Sequence, residues 1–291
     1  MNILQPSFEI WLQEPGLQGI YRQVERAGRV CYKSENHLTA DSAEPFVKRM
    51  IQSSHTAMLE HATVYLQGDE DGPLKKYMDN RFTHCRCHNG QIYVSTNLRV
   101  LVENGWMDDL KLIGEPTPEH ERRVTVHFTT QVAITREFNR HRANSMAEQS
   151  TRYCNYSKDK FGGEMSVNEP AWVREASAGG IEAGEHKLAD LCRDIADGRG
   201  SVDWTDIDCW LFANLASELA YMTLVSHGRK PQEARVVLPL DVNTELVHTA
   251  FVSDWKHFFN LRALGTTGAP HPDAKVLAMP LYMEFQQRGL L

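Results

Sequence analysis

The segment 136–153 most constrains what this chain can become, because the hydrophobic patterning that leads into it stops there. Up to Phe138, apolar side chains recur at the spacing of a helix. The following stretch is polar, and its side chains with ligand-binding groups are Arg140, His141, Arg142, Asn144, Ser145, Glu148, Gln149, Ser150 and Arg152. Such a segment gains little free energy from packing, so its composition needs another explanation.

The four arginines of this segment indicate an anionic ligand. Arginine presents a planar fork of donors to phosphate, and a charge-assisted contact is worth about 1.5–3 kcal/mol, against about 1 for a neutral one. Glu148 precedes Arg152 by four residues, so on a helix the two could pair; Glu148 could equally accept from a sugar hydroxyl or a base N–H. A solvated, highly charged helix face is the alternative, and composition leaves both open.

The spacing of motifs along the chain gives further evidence about the class of protein. Arg140-His141-Arg142 is followed, after seven residues, by Ser150 and then by Arg152-Tyr153. Further motifs in the same order along the chain are Ser-His-Thr-Ala-Met-Leu-Glu-His at 54–61, Glu-Ala-Arg-Val-Val-Leu-Pro at 233–239, His-Phe-Phe-Asn-Leu-Arg at 257–262 and His-Pro at 271–272. Together they resemble the flavin-dependent thymidylate synthases, FAD enzymes that methylate dUMP, and the likeness runs from about Gly19 to the C-terminus.

The resemblance implies which residues form the site. The catalytic residues would be Arg262, Ser150 and His55, with Arg262 favouring the ionised uracil ring, Ser150 at dUMP without acting as a covalent nucleophile, and His55 beside the flavin. The residues implied around dUMP are Glu137, Arg140, Glu148, Gln149, Ser150, Thr151, Arg152, Arg235 and Arg262. Those implied around FAD are Arg140, His141, Arg142, Glu148, His257, Ala57, Phe251 and Ser253.

The same resemblance implies the other reactants and the assembly. NADPH would reduce the flavin, methylenetetrahydrofolate would supply the carbon, and the enzyme would be a homotetramer whose active sites are shared between subunits. Two departures concern the flavin. Ala57 stands where many relatives have Ser or Thr, and Phe-Val-Ser at 251–253 stands where shorter members have Asn-x-Arg.

Composition limits the remaining functions. A net charge of −7 argues against a protein that coats nucleic acid. The sequence shows no signal peptide and no long apolar run, so we expect a cytoplasmic protein without a membrane partner. The six cysteines are expected to be free thiols. Cys85 and Cys87, flanked by histidines, lack a second ligand pair for zinc, so we predict no metal site.

Patterning and resemblance together predict an α/β (α+β) fold, in which helices flank a central, twisted, mostly antiparallel sheet. One domain is expected over 1–291, with an insertion at about 69–121. The predicted strands are 62–67, 91–94, 124–129 and 244–251. The predicted helices are 19–29, 43–53, 96–103, one that carries Arg136 and Arg140, then 203–228, 255–264 and a last helix from Pro272. The stretch 176–184 is predicted to be a mobile surface loop.

Two other functions remain open from the sequence. A relative that modifies another pyrimidine nucleotide at C5 would keep the same arginine cluster. A protein of a different class, a non-enzymatic nucleic-acid or metal-binding module, would use the arginines around Arg140 or the Cys85 and Cys87 pair.

Overall fold

The computed structural model describes residues 1–177, 181, 185–200 and 202–291. The β-strands are β1 Asn2–Leu4, β2 Ser7–Trp11, β3 Thr63–Asp69, β4 His84–His88, β5 Gln91–Asn97, β6 Arg123–Gln131, β7 Ser145–Glu148, β8 Ser166–Asn168 and β9 Asn243–Phe251. The α-helices are α1 Gly16–Val30, α2 Ala43–Gln52, α3 Leu98–Asn104, α4 Val132–Phe138, α5 Ala171–Ala176, α6 Glu185–Ala196, α7 Asp206–Ser226, α8 Pro231–Ala234, α9 Val252–Phe259 and α10 Pro272–Gln287.

The central sheet has the strand order β2-β6-β9-β7, and every neighbouring pair in it is antiparallel. In β6, Val124, Val126 and Phe128 point to one face and are buried. Alternation of this kind predicted the strand, because successive side chains of a strand point to opposite faces. β6 pairs with β9 along its full nine residues. The predicted central, mostly antiparallel sheet is therefore confirmed.

Two smaller sheets complete the strand pairing. The strands β3, β5 and β4 form a three-stranded antiparallel sheet, and β1 pairs with β8 in parallel. Both β4 and β5 lie within 69–121, whose origin as an insertion stays a prediction. Cys85 and Cys87 lie on β4. Within the described part of the chain, no three His, Cys, Asp or Glu side chains are grouped as a metal site.

The largest aromatic core lies between the central sheet and the helices α9 and α10. Its fully buried members include Phe128, Phe138, Trp255, Phe258 and Phe285. The indole N–H of Trp255 donates to the carbonyl oxygen of Val124 at 3.1 Å, which satisfies the one polar group of that ring. This core fixes the end of α4 and the whole of α9 against the sheet, and both helices lead into the candidate site.

The segment after α4 differs from the prediction. The helix ends at Phe138, so Arg140 lies in a turn beyond it. Glu148 ends a strand, not a helix, so of its two possible roles the pairing with Arg152 across a helical turn does not occur. The reason is tertiary: Ala147 of β7 pairs with Val247 of β9, and burial in the central sheet outweighs the local propensity of a polar segment.

Helix boundaries show two further differences. α7 begins at Asp206, because Thr205 rather than Asp203 caps it, through a reciprocal capping box with Asp208. α9 begins three residues before the predicted start at Trp255. It continues into a π-helical turn, Asn260–Leu264, that carries Arg262.

Most of 176–184 lies outside the described residues, so the predicted loop is not tested. A membrane-spanning helix would need a long apolar stretch, and none of the described helices has one.

Burial of neutral histidines should make stability fall in mild acid. His61 and His248 are fully buried, and burial lowers the pKa of His61 from the ordinary 6.5 to about 3. Below pH 6.5 the unfolded chain binds protons that the folded chain does not. Each such histidine should therefore remove about 1.4 kcal/mol of unfolding free energy per pH unit. We expect His61→Gln, which keeps a neutral polar side chain, to show a shallower loss between pH 6.5 and 5.

Urea unfolding of both proteins at several pH values measures this slope. Titrating groups common to both proteins cancel in the comparison. Equal slopes would contradict the burial of a neutral His61 next to the hydroxyl of Thr249, which its Nδ1 contacts at 2.9 Å.

Candidate active site

Arg262 is held in one orientation by three contacts. Its Nη1 donates to the Glu137 carboxylate at 2.6 Å, and its Nη2 donates to the Glu137 backbone carbonyl at 2.8 Å. Its Nε donates to Nε2 of His141 at 3.2 Å. The side chain is only 14% exposed. The π-helical turn after α9 and the C-terminal end of α4 therefore meet through this arginine, and Glu137 offsets part of its charge.

His141 is neutral at physiological pH. Burial is the first cause that lowers its pKa to about 4, and Coulombic repulsion from Arg262 and His257 contributes further. A neutral ring can accept the Nε–H of Arg262, which a protonated ring could not. The rings of His141 and His257 lie 5.7 Å apart. These two residues of the predicted flavin set are therefore neighbours.

The three residues of the Arg-His-Arg motif lie in different environments. Arg140 is exposed, and its side chain has no hydrogen bond or ion pair with another described residue. His141 is buried against Phe258, with ring centroids 5.0 Å apart. Arg142 lines a cavity on the other side of the turn. The motif thus joins two parts of the site instead of forming one cluster of cations.

The cavity beside Arg142 has a volume of about 790 Å³. It lies between the three-stranded sheet and the ends of the central strands, and it is lined by residues from both. Phe251, at the end of β9, forms part of its wall. The ring of His84 on β4 lies 4.2 Å from the Phe251 ring, and the Arg123 guanidinium lies 5.2 Å from it. Of the predicted flavin residues, Arg142 and Phe251 line this cavity.

Four arginines and three carboxylates line the cavity, so its wall has a formal net charge of +1. Arg99 donates to the carboxylates of both Glu60 at 2.5 Å and Glu103 at 2.7 Å. Arg81, Arg123 and Arg142 also line the cavity, and none forms an ion pair with a described carboxylate. An anion could therefore bind here without displacing an internal salt bridge.

Arg123 was missed by sequence reasoning. Burial lowers its pKa to about 10, so it stays protonated at neutral pH, and its buried Nε has no hydrogen-bond partner among the described residues. One Nη donates to the carbonyl oxygen of Glu60 at 3.1 Å. The only sequence signal was a charged residue next to the clearest strand. Nothing local showed that residues more than sixty positions upstream would enclose it.

Glu148 connects α4 to the surface that follows β7. One of its carboxylate oxygens accepts from the hydroxyl of Thr135 at 2.7 Å, and the other accepts from the amide of Asn139 at 3.1 Å. Both donors lie at the end of α4, as does Glu137. Glu148 is therefore held by neutral donors of the α4 end rather than by an arginine, and its role toward dUMP or FAD stays a prediction.

Ser150 begins a turn whose polar groups face outward. Its N–H donates to the carbonyl oxygen of Cys31 at 2.9 Å, and its hydroxyl accepts from the N–H of Arg152 at 3.3 Å. No described histidine or carboxylate is hydrogen-bonded to the Ser150 hydroxyl, so no base activates it as a nucleophile. The Arg235 guanidinium donates to the Thr151 hydroxyl at 3.2 Å, which joins these two predicted substrate residues.

Other members of the dUMP set lie nearby in different settings. Arg152 and Arg235 are exposed, whereas Gln149 is buried and its Oε1 has no hydrogen-bond partner among the described residues. Beside them lies a pair that sequence reasoning missed. The rings of Tyr32 and Tyr153 are 5.2 Å apart and remain half exposed.

Three predicted flavin residues lie apart from the cavity wall. His55 and Ala57 are exposed, although Thr56 between them donates to Glu103 of the cavity at 2.8 Å. Ser253 is exposed, and its N–H donates to the Glu121 carboxylate at 3.0 Å. Their roles toward a flavin stay predictions.

Comparison with known proteins agrees with these motifs. The sequence profile of the family described as "Thymidylate synthase complementing protein" matches residues 103–288, more than half of the chain. The chain therefore belongs to this family, the flavin-dependent thymidylate synthases. A search of curated protein sequences gave no match.

Among solved structures, the chain is similar to the UMP/dUMP methylase PolB from Streptomyces cacaoi. The form bound with 5-Br dUMP shares 14% sequence identity, with coverage of 99% of this chain and 93% of that chain and a TM-score of 0.44. For the form bound with 5-Br UMP the identity is 15%, the coverage 98% and 91%, and the TM-score 0.42. Similarity at this level carries no argument about the site.

The Arg262 cluster can be tested through the titration of His141. Arg262→Gln removes a positive charge that lowers the pKa of His141, so that pKa should rise above about 4. It should stay below the ordinary histidine value, because burial is the larger cause. NMR of protein labelled with ¹³C at histidine Cε1 measures it.

A matched control is Lys256→Gln, which removes an exposed positive charge on α9. It should leave the titration of His141 unchanged. An unchanged titration in Arg262→Gln as well would show that the two side chains are not in contact.

Proposed function

We propose that this chain is an FAD-dependent thymidylate synthase that methylates dUMP at C5 to form dTMP. Methylenetetrahydrofolate is the carbon donor, and NADPH is the reductant. Family membership supports the general class, a pyrimidine nucleotide methyltransferase. The observation that carries the specific reaction is Arg262, a nearly buried guanidinium held in a fixed direction by Glu137 and His141.

Methylation at C5 requires extra electron density at that carbon. An enzyme can raise it by adding a nucleophile at C6 or by stabilising the ring that has lost its N3 proton. The unactivated hydroxyl of Ser150 argues for the second route. A guanidinium has five N–H groups, and the contacts of Arg262 with Glu137 and His141 use three of them. One N–H on each terminal nitrogen is left for the O/N3 edge of uracil.

The exposed surface at 150–153 suits the rest of the nucleotide. Arg152 and Arg235 supply cations for the phosphate, and Ser150 and Thr151 supply hydroxyl groups. Arg140 is exposed and has no competing partner among the described residues, so it can add a third charge. Glu137, Glu148 and Gln149 complete the dUMP set that the family motifs imply.

The cavity beside Arg142 is the proposed flavin site. Its residues fit the group, because the unpaired Arg142, the unsatisfied Nε of Arg123 and the Phe251 ring suit an anionic ligand with aromatic rings. His141 and His257, which are neighbours beside Arg262, would contact the flavin on one side. His55 and Ala57, from the segment 54–61, would contact it elsewhere, as the family motifs imply. When bound and reduced, FAD supplies the hydride that completes the methyl group.

The proposed assembly is a homotetramer with shared sites. Exposed apolar side chains support an interface near α7, where Leu219 is 59% exposed. Val236, next to Arg235, is 78% exposed, and Leu240 is 54% exposed. A contiguous patch of such side chains is typical of a protein–protein interface, and we propose that these three belong to one. An interface there would bring Arg235 close to a second subunit.

Release of tritium from dUMP labelled at C5 tests the reaction. We expect release in the presence of FAD, NADPH and methylenetetrahydrofolate, and none when the folate is left out. Arg262→Ala should reduce release by about 100-fold or more while flavin stays bound, because the ionised ring loses its cation. Lys256→Ala, on the exposed side of α9, should keep full release.

Folate-independent release, or no release from flavin-bound protein, would contradict thymidylate synthesis. A parallel assay with labelled UMP decides the nucleotide, since faster release from UMP would assign the alternative pyrimidine substrate. Normal release by Arg262→Ala would remove the proposed role of that residue.

A further inference from the structure

The cavity beside Arg142 receives a cation from a part of the chain that the family motifs do not include. Arg81 lies within 69–121, just before β4, and it lines the cavity. Its guanidinium stacks over the ring of Phe82 at 4.6 Å from the centroid, and Phe82 also lines the cavity. Arg81 forms no ion pair with a described carboxylate. Its charge is therefore available to a ligand.

The charges of the cavity wall favour an anion. Four arginines and three carboxylates line it, a formal net charge of +1. Arg99 is bonded to two of those carboxylates, Glu60 and Glu103. The other three arginines, Arg81, Arg123 and Arg142, form no ion pair with a described carboxylate. Their guanidinium groups are therefore free to bind the phosphate oxygens of a ligand.

The segment with Arg81 also packs on the part of the cavity where this chain departs from its family. His84 of β4 lies against Phe251, with ring centroids 4.2 Å apart. Two residues further on, Ser253 stands where shorter members have arginine, and its N–H is bonded to Glu121, an acid. Ser253 itself does not line the cavity, so it is the segment 69–121 that brings a cation, Arg81, to the cavity that Phe251 lines.

We propose that Arg81 is a phosphate-binding residue, which with Arg142 binds the diphosphate of FAD. Phe82, whose ring lies under the Arg81 guanidinium, would hold that group in position. This inference rests on the proposed function, because it assigns the cavity to the flavin cofactor. It also gives 69–121 a role in cofactor affinity.

Binding of FAD and of riboflavin by three proteins tests this. The proteins are the wild type, Arg81→Gln and Arg86→Gln, and the quenching of flavin fluorescence reports the dissociation constant. Arg81→Gln should bind FAD at least about tenfold more weakly, because a charge-assisted contact is lost. Riboflavin has no phosphate, so its affinity should be the same in all three. Arg81→Lys should weaken FAD binding less than Arg81→Gln, because it keeps the charge without the fork.

Arg86→Gln is the matched control, an arginine of the same segment that pairs with Glu119 at 3.0 Å and does not line the cavity. It should bind FAD like the wild type. Wild-type affinity of Arg81→Gln for FAD would overturn the inference and leave the proposed function intact. Equal weakening for FAD and riboflavin would also overturn it, since phosphate would not be what Arg81 contacts. Absence of flavin binding by the wild type would overturn both proposals.

Discussion

The pairing of β6 with β9 is the constraint on which the rest of the structure depends. The two strands are antiparallel, so Arg123 at the start of β6 lies opposite Phe251 at the end of β9. That end of the ladder borders the cavity. α9 starts directly after Phe251 and extends about 12 Å, at 1.5 Å per residue, before the π-helical turn presents Arg262 to α4. α4 in turn follows β6 directly. One strand pair therefore sets both parts of the candidate site.

Electrostatics in this region depends on burial as much as on charge. His141 is neutral because burial, and then Coulombic repulsion from Arg262 and His257, disfavour its protonation, and a neutral ring can accept from Arg262. Arg262 and Glu137 form a partly buried ion pair, and such pairs contribute little net stability because desolvation offsets the attraction. The Arg262–Glu137 pair acts by fixing geometry rather than by adding stability. The pair, with the backbone contact to Glu137, fixes the direction of the guanidinium in advance of any ligand.

Sequence patterning was sufficient for the elements that bury one face. β3 and β6 were predicted from alternation and α10 from helical spacing, and the structure contains all three. The local pattern did not predict the strand at 145–148. This polar segment forms a strand because it pairs with β9. The different environments of Arg140, His141 and Arg142 were also not predicted, because they depend on contacts between distant parts of the chain. His141 is buried by Arg262 and Phe258, more than a hundred residues away in the chain.

The family motifs named most of the residues that the structure groups around Arg262 and at 150–153. They did not name Arg81 or Arg123, because neither belongs to a motif and both reach the cavity only through tertiary packing. Conversely, the motifs named Ser253, which the structure places against the acid Glu121. The motifs therefore identify chemistry shared by a family, and they leave part of the cavity wall unidentified.

We propose that this chain couples a flavin to methylation of dUMP, and this coupling can be measured directly. The most direct measurement is the absorbance of the flavin after NADPH-reduced protein is mixed, without oxygen, with dUMP and methylenetetrahydrofolate. The account predicts that the oxidised flavin spectrum returns only when both substrates are present, with dTMP formed in equal amount. A flavin that stays reduced in the complete mixture, or that is reoxidised without dUMP, would contradict it.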